Sequence, residues 1–141
     1  MIGLRKRTLM GALLFAIGAI VVPTTSAQAA TNCSGSIIGR TANSIGELVV
    51  YYNASTGYNC ARMNHLGASY GVAASTSVDI SKCTGTTKSN PGTCTVVQSS
   101  QGSFSYYAGP VSTYAPNNCI RAWGEIVWQG HIYNYVAGPH C

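Results

Sequence analysis

From residue 45 onward the apolar positions recur with a period of two rather than 3.6. Val72 to Val78 alternates and is β-branched, and IGELVVYY (45–52) is a short apolar run bounded by turn residues. The pattern predicts strands near 45–52, 58–63, 70–80, 94–99, 103–107, 110–114, 119–128 and 131–137. Turn signals separate them: Asn53-Ala54-Ser55-Thr56-Gly57, Asn90-Pro91-Gly92, Gln101-Gly102, Pro116-Asn117-Asn118 and Gln129-Gly130. Residues 81–93 are the most polar and irregular stretch and read as an exposed loop. Short strands at this spacing, without heptads or solenoid repeats, predict an all-β fold: a small antiparallel β-sandwich or barrel.

The last two strands can be put in register. Pairing around Gln129-Gly130 sets Trp128 opposite His131, Ile126 opposite Tyr133 and Cys119 opposite His140, leaving Cys141 one residue out of step. One face of this hairpin then holds Ala122, Gly124, Ile126, Trp128, His131, Tyr133 and Tyr135. The other holds Trp123, Val127, Ile132 and Val136 with Arg121 and Glu125. One face belongs to the core. A sandwich strand that packs on each side covers both, and that is the expectation here. An open face would instead be a flat aromatic platform for sugar rings or an apolar partner, which makes Trp123, Trp128, Tyr133 and Tyr135 candidate binding residues.

The first 29 residues follow a different pattern. Arg5-Lys6-Arg7 precedes a continuous apolar run from Thr8 to Val22, then Pro23 and the small-residue site Ala27-Gln28-Ala29. This is the layout of a secretory signal peptide, with cleavage after Ala29 and a single exported domain at 30–141. The run is short for a membrane span, and no later stretch is long and apolar enough to be one.

Composition agrees with strands. After the signal there are two leucines and one methionine, against nine Val, seven Ile, ten Thr and nine Tyr. Charge changes more. The whole chain is formally +5, but the region 30–141 keeps only Arg40, Arg62, Lys82, Lys88 and Arg121 against Glu47, Asp79 and Glu125, a net +2. No two basic residues adjoin, so nucleic acid is not an expected partner. Charged residues are 8% of the chain, against about 25% in an average soluble protein.

All six cysteines, Cys33, Cys60, Cys83, Cys94, Cys119 and Cys141, follow the signal. An even count in a short exported chain reads as three disulfides, with 15 possible pairings. Cys83 and Cys94 bracket the turn-rich loop, Cys119 and Cys141 bracket the last hairpin, and Cys33 and Cys60 remain; the sequential scheme is the expected one. No C-x-x-C is present, and His65, His131 and His140 are scattered, so neither a metal nor a cofactor is expected.

The run Tyr52-Asn53-Ala54-Ser55-Thr56-Gly57-Tyr58-Asn59-Cys60 resembles the YN-x-x-TG-x-NC segment of the spore-associated protein A family, small exported proteins of filamentous, spore-forming actinobacteria. Tyr107-Ala108-Gly109-Pro110-Val111 resembles that family's YAGPV segment. Cys119 with Gly124 and Ile126 resembles its next cysteine strand, and Cys141 its last cysteine. Two features depart from the family. The Cys83/Cys94 pair is additional to its four cysteines, and Trp123 stands one place later than its tryptophan. The resemblance implies a location on spores or cell walls rather than a reaction.

Catalytic motifs are weak. Gly67-Ala68-Ser69-Tyr70-Gly71 matches G-x-S-x-G, but the following residues alternate as a strand where a hydrolase elbow needs a helix. Glu47, Asp79 and Glu125 are the acids available for a glycosidase pair, and nothing in their spacing indicates convergence. The Cys83–Cys94 loop displays Lys88-Ser89, and a rigid basic loop can block a trypsin-like protease. The sequence therefore points to a secreted, non-enzymatic, surface-associated protein, with cell-wall or spore-surface components as partners. The alternative is a secreted binding module, either a protease inhibitor acting through Lys88 or a glycan binder acting through its aromatics.

Overall fold

A computed structural model describes residues 32–141; the signal peptide expected at 1–29 lies outside the described residues. Eight strands follow in order: β1 (Ser36–Ala42), β2 (Gly46–Asn53), β3 (Tyr58–His65), β4 (Ala74–Cys83), β5 (Cys94–Phe104), β6 (Tyr107–Tyr114), β7 (Ile120–Trp128) and β8 (His131–His140). A single 3-10 turn, Gly67–Ser69, lies between β3 and β4. All pairings are antiparallel. Sheet A has the order β1-β2-β3-β6 and sheet B the order β5-β4-β7-β8. Of the two architectures expected, a sandwich or a barrel, the two four-stranded sheets form a disulfide-stapled β-sandwich.

Alternation decides which side chains meet between the sheets. Leu48 and Val50 of β2, Ala61 and Met63 of β3, Val78 and Ile80 of β4 and Ile126 of β7 all point inward and are buried. Met63 lies under the bare backbones of Gly46 and Gly124; a Cβ on Gly124 would sit 2.6 Å from its Sδ. Two glycines thus make room for the one long unbranched side chain of the core.

The open edges of the two sheets meet each other. Thr41 Oγ1 of β1 donates to the Val136 carbonyl of β8 at 2.7 Å. At the other edge the Gly109 and Ser112 amides of β6 donate to Ser100 Oγ and Gln98 Oε1 of β5. Side chains rather than a ladder close the sandwich, which hides edges that would otherwise recruit another chain.

The disulfides are Cys33–Cys60, Cys83–Cys94 and Cys119–Cys141, the sequential scheme. The last hairpin has the expected register from Trp128↔His131 to Ala122↔Ala137, then shifts so that Ile120 faces His140. The extra residue is on β8, where Gly138 takes φ +105°, a backbone region open to glycine. This bulge brings Cys141 level with Cys119 and removes the one-residue mismatch.

Three expectations are corrected. β1 is absent from the predicted strands, because SIIGRTA does not alternate; its Ile37 and Ile38 are exposed, and pairing with β2 holds it in place. Residues 94–104 form one strand rather than two. Gln101-Gly102 stays extended because β4 supplies partners along its whole length, Ser77 and Thr76 among them. The polar loop begins after Cys83, not at 81, since β4 continues through a bulge at Ile80/Ser81.

Candidate saccharide-binding face

The two sheets treat their outer faces differently. On sheet A the segment before β1 is stapled to Cys60, and Asn32 accepts a hydrogen bond from Arg62 Nη1 at 3.2 Å. Val49 points outward there and is still buried. On sheet B no described segment covers the outer face of β7 and β8: Ile132 is 63% exposed and Val136 52%, with Trp123, Glu125 and Val127 half-buried. The expectation that both faces of the last hairpin would be covered therefore fails, and one face is open to solvent.

Register builds this open face row by row. Asp79 of β4 pairs with Ser99 of β5 and Trp123 of β7, and Trp123 with Val136 of β8. In the next outward row Ser77 pairs with Gln101 and Glu125, and Glu125 with Asn134. The half-buried Trp123 thus stands beside Asp79, diagonal to Ser77 and next but one to Glu125 on its own strand. A shallow recess of about 290 Å³ runs between them. The rim is made of carboxylate, amide and hydroxyl groups, with Val127, Ile132 and Val136 extending the apolar surface.

Two of the chain's three acids share this face. The one ion pair among the described residues joins Arg40 to Glu47 at 3.5 Å on the other sheet, so Asp79 and Glu125 have no cationic partner. Burial beside the tryptophan raises the Asp79 carboxyl above its ordinary value of 3.8. Asp79 alternates with the buried Val78 and Ile80 along β4 and so points to the outer face rather than standing in a turn beside the Cys83 loop. Its place opposite Trp123 depends on the β4–β7 pairing, for which the sequence has no local signal.

The other candidate residues are placed as follows. Tyr135 belongs to the core, 1% exposed, with its hydroxyl donating to Asn43 Oδ1 at 2.7 Å. Trp128 and Tyr133 share that inward face and pack half-buried against the core. None of these three is on the open face, as period-two alternation separates them from Trp123.

Lys88 is exposed, but it occupies a tight turn in which the Asn90 amide donates to the Thr87 carbonyl at 3.2 Å. The loop is tied to the residue before β7 by the Cys119 amide donating to the Gly85 carbonyl at 2.9 Å. A protease cleft takes a peptide as an added extended strand, and a closed turn does not present one. Lys88 borders a recess of about 300 Å³ with His140. Burial and then the Lys88 charge hold His140 below its ordinary value.

Ser69 of the G-x-S-x-G match is fully buried and donates to the Ile45 carbonyl at 2.6 Å. Its neighbour His65 binds the Ser69 carbonyl through Nδ1 and Thr76 Oγ1 through Nε2, not the Ser69 hydroxyl. The motif is a structural corner. Among the described residues no three His, Cys, Asp or Glu side chains come together.

No family model, curated protein or solved structure matches the chain.

Proposed function

We propose that the protein is an exported, non-enzymatic surface protein that attaches to cell-wall or spore-surface polysaccharide through the outer face of sheet B. The observation that carries this reading is the half-buried Trp123 on an open sheet face, sharing a shallow recess with Asp79, Glu125, Gln101, Ser77 and Ser99. A pyranose ring has an apolar C–H face and a rim of hydroxyls. An indole accepts the first, while carboxylate and amide oxygens accept hydrogen bonds from the second. The shallowness of the recess suits a polymer strand lying across it better than an enclosed small molecule. Three disulfides agree with an extracellular setting, and no helix among the described residues is long and apolar enough to cross a membrane. The resemblance to spore-associated protein A supports the same location.

Sedimentation with isolated cell walls and with chitin and cellulose powders tests the proposal. The intact protein is expected in the pellet and Trp123→Ala in the supernatant. Equal partitioning of the two would refute the role of this face. Release of reducing ends from the polymer, abolished by Glu125→Gln, would refute the non-enzymatic part.

A further inference from the structure

A larger opening lies on the opposite sheet. Glu47, Asn64 and Tyr107 form one outward row across β2, β3 and β6. Together with Arg62, Tyr70 and Tyr106 they border a cleft of about 490 Å³, within the range of ligand sites. Tyr70 and Tyr106 come from different loops and meet edge to face, with centroids 5.1 Å apart. They are 62% and 53% exposed, so neither ring serves the core. Two backbone hydrogen bonds of 2.8 Å hold them in place: the Gly71 amide donates to the Ser105 carbonyl, and the His65 amide to the Tyr106 carbonyl. Loops tied in this way hold the two tyrosine backbones at a fixed spacing, which lowers the ordering cost of binding.

The charges in the wall select the ligand. Glu47 pairs with Arg40 and accepts from Asn64 Nδ2 at 3.2 Å. Arg62 lies over the Tyr107 ring at 4.9 Å and donates to Asn32. With Glu47 and Arg62 Nη1 engaged and Arg62 Nε buried without a partner, the cleft offers two tyrosine rings, phenolic hydroxyls and Asn64 Oδ1. That set fits a neutral ring with an apolar face and many hydroxyls. We infer that this cleft is a second saccharide site, on the sheet opposite Trp123, and that one chain joins two neutral glycan strands. The bridging, though not the cleft site itself, rests on the saccharide reading of the Trp123 face.

Amide and indole NMR shifts of the exported domain, titrated with chitohexaose, cellohexaose and laminarihexaose, separate the two sites. At least one sugar is expected to move two groups of signals: Gly71, Tyr106 and Tyr107 in the cleft, and Asp79 and the Trp123 indole on sheet B. Tyr70→Ala/Tyr106→Ala is expected to weaken the cleft response by about tenfold or more and leave the other group alone. Tyr70→Ser by itself, on an exposed loop residue, repeats the test in a milder form. Beads coated with the responding sugar are expected to be agglutinated by the monomeric fraction of the intact protein, and by neither Trp123→Ala nor the tyrosine variant. Shifts confined to sheet B and unchanged by the tyrosine replacements would overturn the second site while leaving the first. Shifts confined to the cleft would uphold the cleft and remove the bridging along with the Trp123 reading. No shift in either group with all three sugars would overturn both.

Discussion

Replacing Cys83 and Cys94 together by alanine tests whether the stapled loop serves stability or binding. The two residues are direct partners at the ends of β4 and β5, separated by 11 positions in sequence. Closing a loop of that length removes about 9 cal/mol/K from the unfolded chain, or ~2.8 kcal/mol at 25 °C. The folded loop keeps its other ties: Thr84 N to Thr93 O, Gly85 N to Pro91 O and Cys119 N to Gly85 O. Cys83 is buried, so a small cavity term adds to the entropic one. For a domain of about 110 residues the unfolding entropy is roughly 0.23 kcal/mol/K, which converts the loss to about 12 °C in Tm. Urea denaturation followed by tryptophan fluorescence, with calorimetry alongside, measures both quantities. Saccharide binding well below the new Tm should be unchanged, because the loop borders neither the Trp123 recess nor the tyrosine cleft. A loss under ~1 kcal/mol at unchanged m would refute the entropic argument. A folded variant that no longer binds would show that the loop belongs to the site.

Three further outcomes are expected. Tyr135→Phe removes a buried hydroxyl whose partner, Asn43 Oδ1, still accepts from the Ile45 and Gly46 amides; stability should fall by about 1 kcal/mol, with binding intact, by denaturant titration and pull-down. His140 has a folded pKa below its ordinary value of 6.5, so the unfolded chain takes up its proton first. Stability from this group is complete above 6.5 and declines as pH falls through 6.5 toward the folded value; His140→Gln should flatten that part of the curve, and an unaltered slope would count against it. Asp79 has the opposite sign. Its folded pKa lies above 3.8, so the folded state favours the protonated form, and at neutral pH the ionised group destabilises. Asp79→Asn should therefore melt higher than the parent at neutral pH, with the difference vanishing below 3.8, while its saccharide binding is weaker; a lower neutral-pH Tm would contradict the burial argument.

That trade at Asp79 bears on the site as a whole. A carboxylate kept half-buried beside an indole, with no ion pair among the described residues, lowers stability where a serine or asparagine would not. Groups of this kind recur where a protein contacts something else, and here the row that holds Asp79 runs through the half-buried Trp123 to the exposed Val136 rather than into a core.

Much of this was legible in the chain itself, because the governing signals are local. Period-two alternation is a property of a single strand, so it already separated Trp123 from Trp128, Tyr133 and Tyr135 before any partner was known. A two-residue turn at Gln129-Gly130 determines a hairpin register by geometry alone, and the structure departs from it only where Gly138 permits a bulge. Cysteines that bracket turns pair across them. What alternation cannot say is which of two faces is inside, or which distant strand lies alongside. The tertiary structure decided that β4 pairs with β7, bringing Asp79 beside Trp123. It decided that Tyr70 and Tyr106 meet across two loops, and that the segment before β1 lies over Cys60 and Arg62 of sheet A while, among the described residues, the outer face of β7 and β8 stays open. These are contacts between residues far apart in sequence, selected by how whole sheets bury their apolar faces, and no short window of sequence contains that choice.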